Sequence, residues 1–85
     1  MNNMQKKIMS IVQIIAIGET LIASINKSRL ANDGVLRSKV DTYLRLKNVI
    51  EQVPPEDSDL NKQFVRELAS AIREIEKQLD IVAPN

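Results

Sequence analysis

Residues 8–25 read IMSIVQIIAIGETLIASI. Seven isoleucines fall in this stretch, from Ile8 to Ile25, with Gly18-Glu19 in its middle. At about 100° per residue, Met4, Ile8, Ile11, Val12, Ile15, Leu21, Ile22 and Ile25 share one broad helical face. Ile14 widens that face, and Ile17 lies nearly opposite Ile8. The band covers about half the circumference, whereas a helix packing on one core needs a stripe little wider than ~100°. Ile and Val lose χ1 freedom in a helix, and the run Ile11–Ile17 would also suit a strand or a cross-β segment. The helical spacing, and the helical character of the segments that follow, predict a helix whose stability comes from packing.

Lys6-Lys7 ahead of this run has the outline of a secretory signal, but Glu19 interrupts the run and no small-x-small cleavage site follows. As a membrane span the stretch is short and holds Gln13 and Glu19, so stable insertion is not expected.

Outward from this stretch, two breaks divide the chain. Asn32-Asp33-Gly34 predicts a turn in which Gly34 adopts positive φ after a helix. Pro54-Pro55 is the second break, because proline cannot continue a helix and Pro54 holds Val53 extended. Asp57, Ser58 and Asp59 then offer an N-cap and a favourable acidic first turn. Helices are therefore expected at about 4–31, 35–53 and 59–82 in a single domain spanning 1–85. The second turns Leu36, Val40, Tyr43, Leu46, Val49, Ile50 and Val53 toward a core, with Leu44 at its margin. The third has the cleanest stripe, Leu60, Phe64, Leu68, Ala71, Ile72, Ile75 and Leu79, opposite a charged face. Short connections make neighbours antiparallel. The expected fold is all-α, an antiparallel three-helix bundle (a helical hairpin plus a third helix) that self-associates, with the first helix longer than its partners.

Eighty-five residues allow one thin core. The chain has no Cys and no His, which excludes disulfides, the usual zinc sites and His-based acid–base pairs. The absence of Cys fits a reducing compartment, and a cytoplasmic location is expected. Net charge is +1, but residues 1–53 carry a balance of +4 and residues 54–85 one of −3. Basic and acidic helices attracting each other within one bundle account for this asymmetry, although it also suits an acidic partner.

Glu19 falls about 20° from Ile8, inside the apolar face, where an unpaired carboxylate is costly. Folding the second helix back brings Tyr43 or Lys47 to its level. Alternatively, Glu19 fixes register in an oligomer, with Gly18 admitting a close backbone. Asp57, Asp59 and Asn61 have the spacing that opens an EF-hand loop, but Lys62 and Leu68 stand where Gly and a bidentate Glu are needed, so no metal is expected. Glu74 and Glu76 face different sides of a helix, no phosphate-cradling glycine loop exists, and the serines have no His to activate them. No cofactor, catalytic residue or enzymatic activity is expected.

The isoleucine surplus points to a small non-enzymatic interaction or assembly module, an adaptor or regulatory piece. A fully buried Ile contributes roughly 1.5–3 kcal/mol, so leaving several wet is a large loss for a small domain. The expected protein-binding residues are Ile8, Ile11, Ile14, Ile15, Ile17, Gly18, Glu19, Ile22 and Ile25. The expected partner is a second copy or a helix of another protein. Two other readings are a nucleic-acid regulator contacting phosphates through Lys27, Arg29, Arg37, Lys39, Arg45 and Lys47, and a membrane-surface protein laying its first helix on lipid.

Overall fold

The structure, a computed structural model, describes the backbone of residues 3–54 and 56–80 and the side chains from Ile11 to Pro54 and from Glu56 to Asp80. Four helices occupy these residues: α1 (Asn3–Ala23), α2 (Lys27–Asn32), α3 (Gly34–Ile50) and α4 (Ser58–Asp80). The protein is all-α, with no strand among the described residues.

α4 forms where the sequence is most strongly amphipathic. Leu68, Ala71, Ile72 and Ile75 are buried, and Phe64 and Leu79 pack partly buried against them. The Asp57 carboxylate accepts the Leu60 N–H at 3.2 Å and so caps the first turn. Asn61 is buried, and its amide donates to the Pro54 and Asp57 carbonyls at 3.0 and 2.8 Å. Two of the three EF-hand-like residues are thus engaged in capping and in stapling the preceding loop to the helix.

α3 starts and stops differently from expectation. Gly34 has no positive φ; it is the first helical residue. The connection from α2 is Asp33, at φ −120° and ψ 95°, whose carboxylate accepts the Leu36 N–H at 3.0 Å. A capping side chain replaces the left-handed turn, so the glycine is free to join the helix. At the other end α3 stops at Ile50 rather than Val53, and Gln52 and Val53 donate to the carbonyls of Val49 and Ile50 in a tightened final turn. Val49, expected in the core, is 46% exposed.

The expected continuous helix over 4–31 is broken. α1 ends at Ala23, the Ser24 hydroxyl donates to the Leu21 carbonyl at 2.6 Å, and α2 begins after Asn26. The Asn26 side chain accepts from the N–H groups of Ser28 and Arg29 at 2.8 and 3.3 Å. An Asn that caps a new helix competes with continuing the old one, and hydrophobic spacing does not register that competition. Met4 and Ile8 fall where side chains are not described, and positions 81–82 and Pro55 lie outside the described residues.

Lys39 meets Glu74 at 3.0 Å, Gln78 donates to Asp33 at 3.1 Å, and Asn61 reaches Pro54 at 3.0 Å. These pairings run in opposite directions along the chain, so α3 and α4 form an antiparallel hairpin, and they share the most extensive packing. α1 lies against both. Every buried apolar side chain among the described residues belongs to the hairpin: Leu36, Val40, Tyr43, Ile50, Leu68, Ala71, Ile72 and Ile75, of which Leu36, Tyr43, Leu68 and Ile75 are fully enclosed. The molecule measures 47 × 23 × 16 Å. With helices about 8–10 Å apart, the smallest dimension holds two layers, so each long helix keeps an outward face.

Candidate interaction face

α1 is seated on the hairpin by its glycine. Gly18 is buried, and a Cβ there would overlap Cζ and Oη of the Tyr43 ring. Tyr43 is completely buried, and its hydroxyl donates to the Ile15 carbonyl at 3.2 Å. Burial, helped by the Glu19 carboxylate, holds the phenol above its ordinary value of 10.0. One turn along α3, the Lys47 ammonium donates to Glu19 at 2.6 Å, and this hydrogen bond raises Lys47 above its ordinary 10.5. Half of the Glu19 side chain remains exposed. The carboxylate therefore sits at the rim of the apolar face, paired with one of the two groups expected at its level.

This seat sorts the expected binding residues into two sets. Ile11, Ile14, Ile15, Ile22 and Ile25 are half-buried against the protein's own core. Gly18 is covered by Tyr43 and Glu19 is held by Lys47. Ile17 points outward at 52% exposure; Ile8 lies where no side chain is described. Val12, expected on the inner face, is the most exposed large apolar residue among those described, at 59%. Val12 and Ile17 flank an outward strip of Gln13, Ala16, Thr20 and Ala23, all exposed. From Ile11 to Ala23 the only charged residue is Glu19.

The basic residues are not gathered. Arg29 donates to the Gln78 carbonyl at 2.7 Å and pairs with Asp33 at 3.5 Å. Arg37 donates to the Leu30 and Ala31 carbonyls at the end of α2. Lys39 meets Glu74, Arg45 meets Asp41 at 2.9 Å, and Lys47 meets Glu19. Lys27 is exposed on α2. At helical spacing the four cations of α3 point to different sides. Of these six cations, all but Lys27 meet acids or carbonyls of the same chain.

Two features were not singled out from the sequence as structural centres. Asn61 is one; its clue was a polar residue at a position of the apolar stripe itself, in the first turn of the helix that follows the proline break. The other is the cluster of Arg29, Asp33 and Gln78, which ties the α2–α3 junction to the end of α4. There the Leu36 N–H and Gln78 hold the Asp33 carboxyl below its ordinary 3.8, with Arg29 assisting. Arg29 also satisfies a carbonyl of the last turns of α4, where a cation is favoured. The partners are up to 49 residues apart, so no local pattern announces them.

Among the described residues no group of three or more acids is placed to hold a metal ion, and no helix is long and apolar enough to cross a membrane. The fold and the face define an all-α protein with one uncharged helix surface. No family model, curated protein or solved structure matches the chain.

Proposed function

We propose that this is a small non-enzymatic assembly module that binds protein, most simply a second copy of itself, through the outward strip of α1. In this reading the three long helices act as an antiparallel bundle whose α3–α4 hairpin supplies rigidity and whose α1 supplies adhesion. The compartment we assign is the cytoplasm, on the absence of cysteine. The observation that carries the reading is the exposure of Val12 and Ile17 on either side of an uncharged strip. Covering that strip buries no unpaired charge, and Ala16 and Ala23 leave room for a second helix to approach closely.

The test is solution mass by light scattering at micromolar concentration. The wild type should be larger than the 9.6 kDa of one chain, and the double substitution Val12→Ser with Ile17→Ser should return it to that mass while its helical circular dichroism is unchanged. These positions suit the purpose better than Ile15 and Ile22, which also serve the internal core. A wild type that stays at one chain's mass would remove self-association and leave a helix of another protein as the partner.

A further inference from the structure

The hairpin is a trough with a keyed occupant. Among the described residues the buried apolar side chains come from α3 and α4 alone, and α1 lies over them with half-buried isoleucines. Three features make the seat selective. Tyr43 demands a residue without a side chain at the crossing, and Gly18 provides it. The Tyr43 hydroxyl takes a main-chain carbonyl, that of Ile15. Lys47 takes an acid adjacent to the glycine, Glu19. A second copy of the chain carries the same key, with the same spacing.

The link between α1 and the hairpin is bent in the structure, while its hydrophobic spacing would also suit a straight helix. In the bent form Asn26 caps α2 and Ser24 closes the end of α1. In a straight form Ser24-Ile25-Asn26 would be helical, and the hydrophobic spacing favours this, since Ile25 continues the stripe of Gly18 and Ile22. The bend is held by local hydrogen bonds and by the half-buried packing of Ile22 and Ile25, and straightening it would carry α1 away from its own hairpin. Exchange of identical elements then needs no new interface, only an open hinge and enough of the second chain.

We infer that the α3–α4 trough accepts α1 of a second copy as well as its own, so that two chains exchange first helices about the Ser24–Asn26 hinge. This proposal uses the inner face of α1 and stands apart from the outward strip. The two therefore fail separately.

The experiment uses full chains carrying Val12→Ser and Ile17→Ser, which removes association through the strip. In that background Glu19→Lys is made in one chain and Lys47→Glu in another. Each variant alone has like charges at the latch, whether α1 is kept or exchanged with an identical chain. Only exchange between the two variants restores an opposite pair at both latches. With one variant uniformly 15N-labelled so that the masses separate, native mass spectrometry after co-incubation at high concentration should show heterodimer in excess of the statistical half of all dimers. A statistical mixture, or no dimer, would overturn the proposal. Both substituted side chains are at least a quarter exposed, so folding should survive. As a second arm, Asn26→Ala in the same background removes the cap that holds the bend and should raise the dimer fraction; an unchanged fraction counts against the hinge.

Discussion

α4 and α1 are nearly equal in length, 23 and 21 residues, and α1 is by far the more apolar. Yet α4 buries Leu68, Ala71, Ile72 and Ile75, whereas α1 buries only Gly18 among its described residues. The difference lies in how apolar residues are arranged, not in how many there are. α4 concentrates them in a stripe that the partner helix can cover, and charged residues fill the remaining circumference. α1 spreads them over too wide an arc. A helix lying on a two-helix platform can turn one side down, and every isoleucine beyond that side meets water. Hydrophobicity in excess of one face becomes surface, which is where an adhesive role for this protein would come from.

The sharpest challenge to this contrast is a pair of truncations. Leu68→Ala in α4 should cost about 2–5 kcal/mol, enough to unfold much of a domain this small, because it leaves a void among fully packed neighbours. Ile22→Ala in α1, where the side chain is only half-buried, should cost less than half as much. Urea midpoints measure both, and equal losses would show α1 to be as much a part of the core as α4.

Gly18→Ala comes next. Alanine is the better helix former by about 1 kcal/mol, yet the added methyl meets the Tyr43 ring, and overpacking of this kind costs roughly 1–3 kcal/mol. The net change should be a lower melting temperature. Combining it with Tyr43→Leu should cost less than the two changes added together, which a double-mutant cycle by thermal melting would detect. A more stable Gly18→Ala protein would mean that α1 is not seated through its glycine.

Acid should act on the hairpin side of the comparison. Asp33 and Glu74 are both held below their ordinary values of 3.8 and 4.5, by the Leu36 N–H and by Lys39 respectively. Groups shifted in this direction stabilise the fold fully above those ordinary values. The contribution drains away as pH falls below them toward the lowered folded-state values. Asp33→Asn keeps a capping oxygen for Leu36 but loses the charge that Gln78 and Arg29 bind. It should therefore lower stability modestly at pH 7, converge with the wild type in acid, and so flatten the acid limb of a melting-temperature profile. An unaltered acid limb would contradict the assignment.

The smallest effect is expected at the outward strip. Val12→Ser and Ile17→Ser should each shift the stability of a single chain by no more than about 0.5 kcal/mol in chemical denaturation at low concentration. A larger loss would mean that these side chains belong to the core after all.

Much of this architecture was legible from residue order. The stripe of α4, the cap at Asp57, the proline break and the pairing of Glu19 with Lys47 all follow from helical spacing and short connections. What escaped was governed by competition between local options. At Asn26 and Asp33 a side chain that can cap a helix outweighed, respectively, the continuity of the isoleucine pattern and the expected glycine turn. The candidate face was half legible. Its surplus could be counted, but the side facing out could not be identified, because Ile17 and Val12 flank the strip on opposite edges while Ile11, Ile14 and Ile15 lie between them on the inner side.

Residue order alone settled that the chain is helical, that it breaks near residues 32–34 and 54–55, and that it carries more apolar surface than a narrow stripe requires. These are consequences of short-range backbone and side-chain preferences. The rotation of α1 on the hairpin was settled by packing in three dimensions. A fully buried tyrosine ring needs a gap in the helix above it, Gly18 is the one position in α1 that offers such a gap, and fitting the two together fixes which isoleucines are covered and which stay in water.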